Sequence, residues 1–239
     1  MVNLIKEEKK LLQSAVAEAF ERAGFGPADG FQGSVSYCQT PVFGDFFANH
    51  ALHYAPKLGI SAEELAAVIA ENIRAEECSS VKADKGFVNF TLSDAWHSAA
   101  LEAKLSELSS MDIPPHEPAP LIGRLDVSNP LYFTEYSRKR CYDLCRLYEN
   151  GGFAPEPDNP AFSAEARKLI KYLAGCTGPD YGYSLSLGEA LFAWYSQKNN
   201  GSLTHTDCMI LKTAGKVYDL CLNSYGKTVP SLSRRSTSK

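Results

Sequence analysis

Apolar residues recur at helical spacing from the start of the chain, at Leu4, Leu11, Leu12, Ala15, Ala19 and Phe20, and Gly24 stands where such a helix would stop. Residues 25–34 are rich in Gly, Pro and Asp and read as a loop, after which Val35-Ser36-Tyr37 can form a short strand. Asp45, following Gly44, reads as the N-cap of a helix over residues 46–55 that Pro56 ends or kinks. A second helix opens on the capping box Ser61-Ala62-Glu63-Glu64 and carries the stripe Leu65, Val68, Ile69, Ile73. The period then drops from 3.6 to 2. Residues 81–83 and 87–92 read as the arms of a hairpin joined by Asp84-Lys85-Gly86, with glycine where φ turns positive. Phe90 and Leu92 alternate with Asn89 and Thr91, so one face is buried and the other polar. Ser93 or Asp94 can cap a further helix running to about Ser110.

Residues 111–123 contain Pro114, Pro115, Pro118 and Pro120 and cannot form a regular helix. Beyond them the pattern is helical throughout. One long helix carries Tyr132, Phe133, Tyr136, Arg140, Leu144 and Leu147 and ends at Asn150-Gly151-Gly152; others are expected over 163–174, 187–197 and 206–225. The expected fold is an α+β N-terminal domain, helices packed on a small antiparallel sheet, over residues 1–110. A proline-rich linker over 111–123 follows, then an all-α helical bundle over 124–229 and a flexible basic tail over 230–239.

Composition narrows the class. A hydrophobic content of 44% with 22% charged residues is that of an ordinary globular protein, and no apolar run approaches the roughly 18 residues of a membrane helix. The first residues lack the apolar core of a signal peptide, so a cytoplasmic, membrane-free location is expected. Seven cysteines form no CxxC pair, and Cys141 and Cys145, four apart, share a helix face; they read as reduced, buried thiols, with no metal site or cofactor expected. The net charge of −4 argues against a generic polyanion binder and leaves local basic clusters, such as Arg138-Lys139-Arg140, as the candidates.

Several motifs in order give the chain a likeness. Pro41, Gly44-Asp45, the helix from Ser61, and Gly86-Phe87-Val88-Asn89-Phe90 resemble the tRNA-binding domain at the front of arginyl-tRNA synthetases, over about residues 1–95. Asn129-Pro130-Leu131-Tyr132-Phe133-Thr134-Glu135-Tyr136-Ser137-Arg138-Lys139-Arg140 resembles the first helix of the same enzymes' anticodon-binding DALR domain. Arg140 keeps the arginine of that motif, whereas Glu135 replaces an amide and Arg138 a histidine. The short linker stands where the catalytic domain would lie. Neither His-x-Gly-His nor Lys-Met-Ser-Lys occurs, and Gly226-Lys227-Thr228 lacks the preceding glycine of a phosphate loop.

The resemblance implies a non-catalytic tRNA-binding protein rather than an enzyme. In the family the hairpin faces the tRNA D-loop, which makes Phe87 and Asn89 candidate readers of an unstacked base, one by stacking and one at the base edge. Lys82 and Lys85 on the same hairpin, with Tyr132, Arg138 and Arg140 in the helical half, complete the candidate RNA contacts. The implied partners are tRNA, with tRNA-Arg the first candidate, and a synthetase or tRNA-modifying enzyme to which it is presented. The alternative is a protein–protein interaction module that has lost RNA binding; the acidic pI of about 5.8 and Glu135 favour it.

Overall fold

In the computed structural model, which describes residues 1–26, 33–38, 41–114, 129–152, 154, 161–198 and 203–228, the first helix, α1, spans Leu4–Arg22. Asn3 caps it by accepting from the Lys6 amide. Its buried stripe is Leu12, Val16, Ala19 and Phe20, with Leu11 turned to solvent. The sheet strands β1 (Val35–Tyr37), β2 (Phe46–Ala48), β3 (Cys78–Asp84) and β4 (Phe87–Leu92) are antiparallel, in the order β1-β2-β4-β3. Helices α2 (His50–Leu58) and α3 (Ala62–Asn72) complete this part, and α3 opens on the expected Ser61–Glu64 capping box. Val88, Phe90 and Leu92 on one face of β4 join Phe46, Ala48, Leu65 and Ile69 in a core with α1. The hairpin turn is two residues, Lys85-Gly86, both at positive φ, as its tight geometry demands.

Two sequence readings change here. Residues 46–48 form a strand, not a helix, because Phe46 and Ala48 point into the core while Phe47 faces out, pairing opposite Asn89 of β4. Asp45 is accordingly no helix cap: its buried carboxylate accepts the Leu92 amide at 2.7 Å and its own N–H donates to the Phe90 carbonyl at 2.6 Å.

His50, at the start of α2, is 1% exposed. Gln13 accepts the Val35 amide through Oε1, which leaves its NH₂ to donate to His50 Nε2 at 2.8 Å, so that ring nitrogen carries no proton. Burial, with the neighbouring charge of His53, pushes the His50 pKa down to about 4. Because the folded pKa lies below the unfolded one, the unfolded chain binds the extra proton; the contribution of His50 is intact above pH about 6.5 and is lost as pH falls towards about 4, by up to about 3 kcal/mol. An NMR titration of the His50 ring should show a midpoint near 4; a midpoint near 6.5 would contradict this packing.

The contacts divide the chain into two compact units, Asn3–Ala99 and Met1–Val2 with Ala100–Lys239. The division falls within helix α4 (Asp94–Ser110), capped by Ser93, rather than after it, because Leu101 and Leu108 belong to the core of the second unit. That core is built by α5 (Pro130–Gly151), α6 (Ala164–Gly175), α7 (Tyr181–Ser196) and α8 (His205–Thr228), an all-helical architecture as expected. Residues 115–128 and 229–239, most of the expected linker and the whole tail, lie outside the described residues. The buried face of α5 is not the aromatic stripe that the pattern singled out. It runs through Thr134, Ser137, Cys141, Leu144 and Cys145, while Tyr136 and Leu147 face solvent.

Candidate nucleic-acid interface

The open face of the four-stranded sheet carries a row of side chains. Ser36 pairs with Phe47, Phe47 with Asn89, and Asn89 with Lys82, so four strands place these residues side by side. Phe87, two residues before Asn89, shares their face and meets Phe47 edge to face at 5.7 Å between centroids. A groove of about 270 Å³ opens over this surface, lined by Phe43, Phe47, Phe87 and Asn89, with Asp84 and Lys85 at the hairpin tip and Cys38 opposite. The Asn89 carboxamide has no hydrogen-bond partner among the described residues, although the groove is wide enough to admit one.

The wall that carries Phe43 is held in place by its neighbours. Pro41–Phe43 is a single 3₁₀ turn, and Gly44 follows at φ 97°. A Cβ at Gly44 would lie 2.5 Å from the Phe90 carbonyl oxygen, so only glycine lets this segment close onto β4. The Asp45 bonds to Phe90 and Leu92 then lock it. Val42 and Phe43 are left 81% and 49% exposed beside the groove.

Of the residues nominated from sequence, Lys85, Phe87 and Asn89 line this one groove, and Lys82 lies across the strand pair from Asn89. Phe87 is not a core residue; it is half-buried on the open face. Phe43, Phe47, Cys38 and Asp84 were not nominated; reading residues 46–55 as a helix hid Phe47. The other three nominees belong to the second unit. Tyr132 stacks on Tyr136, and Tyr136 on Phe192 of α7, each pair at 6.3 Å and 19°. Arg140 is exposed, with its guanidinium over the Tyr195 ring. Arg138 is engaged within the fold: it is ion-paired to Asp219 and lies over the Tyr142 ring. Its pKa is raised, burial being outweighed by the Asp219 hydrogen bond and charge.

Among the described residues no group of His, Cys, Asp and Glu could hold a metal ion, and no helix is long and apolar enough to cross a membrane. Burial pushes the thiols of Cys78 and Cys145 up to about 12, so neither is a nucleophile at neutral pH.

The first unit is thus a small α+β domain with three helices on one face of a sheet and an aromatic-lined groove on the other. Residues 9–92 match the family described as "Arginyl tRNA synthetase N terminal domain". An arginine–tRNA ligase of Moorella thermoacetica is 30% identical over 119 residues, which are 44% of this chain and 20% of the ligase. The chain therefore spans about a fifth of the length of that curated relative. Among solved structures, arginyl-tRNA synthetase from Plasmodium falciparum aligns at 12% identity and a TM-score of 0.35, over 92% of this chain and 43% of that one. The Thermus thermophilus enzyme aligns at 16% and 0.33, over 86% and 38%.

Proposed function

We propose that this chain is a non-catalytic tRNA-binding protein whose N-terminal domain takes an unstacked base of tRNA into the groove above β4. The observation that carries the reading is the unpartnered Asn89 carboxamide beside the paired Phe87 and Phe47 rings on an open sheet face. A splayed base can lie on an aromatic ring while the amide, both donor and acceptor, meets its edge. Lys82 and Lys85 are exposed on the same hairpin and suit the flanking phosphates. In this reading the helical half is DALR-like and contributes Tyr132 and Arg140 on the flank of α5 that faces α7, while Arg138 serves mainly to hold Asp219 and Tyr142. The tRNA is tRNA-Arg, presented in the cytoplasm to a synthetase or a tRNA-modifying enzyme.

Two substitutions test this. Phe87→Ala should weaken tRNA binding by about 1–3 kcal/mol with little change in folding, since the ring lies outside the core. Asn89→Ala should retain most affinity and lose discrimination at one D-loop base. Filter binding with tRNAs varied at single D-loop positions reads both; unchanged affinity in the first and unchanged base preference in the second would remove these residues as readers.

The second reading is a protein-interaction module, favoured by the exposed Val42 and Phe43 and by the internal neutralisation of Arg138. It requires that tRNA binding be absent even at low salt.

A further inference from the structure

A second concavity, of about 400 Å³, lies in the helical unit between the end of α4, the middle of α5 and α8. Its wall is preformed. The Tyr142 ring is fixed there by three contacts: its hydroxyl donates to Asp219 at 2.6 Å, Arg138 covers it, and Gly215 gives it room against α8. A Cβ at Gly215 would lie 2.9 Å from that ring. Leu105 adds apolar surface beside it. The rim is charged. Arg146 from α5 and Lys212 and Lys216 from α8 converge on the opening, against one carboxylate, Glu149. Glu149 is held by Lys212 at 2.5 Å, whereas Arg146 and Lys216 have no ion-pair partner among the described residues. Lys212 and Lys216 are four residues apart on one helix face, and Glu149 neutralises only Lys212.

We infer that this cleft binds a ribonucleotide unit, free or within an RNA chain, with its phosphate on Arg146 and Lys216, a ribose hydroxyl donating to Glu149 and its apolar part against Leu105 and Tyr142. The guanidinium fork and the ammonium suit phosphate oxygens, and a carboxylate at the rim selects a ligand that offers hydroxyl donors over a bare polyanion. The site is separate from the sheet groove and does not rest on base reading there.

Calorimetric titration of the full chain with adenosine 5′-monophosphate, and separately with a short single-stranded oligoribonucleotide, tests the assignment. At least one should bind saturably, and Arg146→Gln/Lys216→Gln should weaken it about tenfold or more. Binding of the mononucleotide identifies a free-nucleotide site; binding of the oligoribonucleotide alone identifies an RNA-chain site. Lys216→Glu, which reverses one half-buried charge at the cleft, should weaken binding further than Lys216→Gln. No saturable binding of either ligand, or binding indifferent to these charge substitutions, would overturn the inference.

Discussion

Replacing Lys104 by alanine is expected to destabilise the helical unit by about 3–5 kcal/mol, the range for breaking a buried charge network. Lys104 is a charged residue with 0% exposure, and its ammonium uses all three protons: on the Val2 carbonyl at 2.6 Å, Glu107 Oε2 at 2.8 Å and the Cys176 carbonyl at 3.0 Å. Burial works against ionisation of Glu107, but the Lys104 and Val2 hydrogen bonds more than offset it and lower its pKa. Alanine would leave a carboxylate and two carbonyls short of a donor and open a cavity beside Leu101 and Leu108. Lys104→Met keeps most of the volume and removes only the charge, so it should cost less than alanine. Urea midpoints of the three proteins measure this; a loss under about 1 kcal/mol for the alanine variant would show the network to be dispensable.

Gly44→Ala should cost about 2–4 kcal/mol, combining left-handed backbone strain with a forced collision. The neighbour that must move is the Phe90 carbonyl, a backbone group within the central hairpin, and it cannot yield as a side chain would. Gly59 provides the control. It also has positive φ, at 68°, but a Cβ there meets nothing within 4 Å, so Gly59→Ala reports the conformational cost alone. Thermal unfolding should rank Gly44→Ala well below Gly59→Ala. Equal losses would mean that the 3₁₀ turn can lift from β4. In the Gly44 variant the displaced turn also carries Phe43 away from the groove, so tRNA affinity should fall with stability.

Much of this was legible in the chain. The capping box at Ser61 and the alternation from Phe87 to Leu92 specify their elements locally, whereas Phe87 and Asn89 stand out as candidate readers only through the resemblance to the synthetase N-terminal domain. Strand β2 was not legible, because three residues offer too few positions to separate a period of 2 from 3.6, and apolar Ala51 and Leu52 beyond it continue a helical pattern. Phe47 was lost with it. On α5 the hydropathy pattern favours aromatics. The packed face instead uses small side chains: Thr134, bonded to Ser184 of α7, with Ser137 and two cysteines, of which Cys145 meets the Cys208 carbonyl of α8. The pairing of Arg138 with Asp219, 81 residues away, is a tertiary event that local pattern cannot encode.

The most direct test of the central claim is fluorescence anisotropy of labelled tRNA-Arg and an unrelated tRNA with the full chain across a salt series. The account predicts preferential binding of tRNA-Arg, with log affinity falling linearly in log salt as phosphate contacts are screened. No binding of either tRNA at low salt would contradict it and leave the chain as a protein-interaction module.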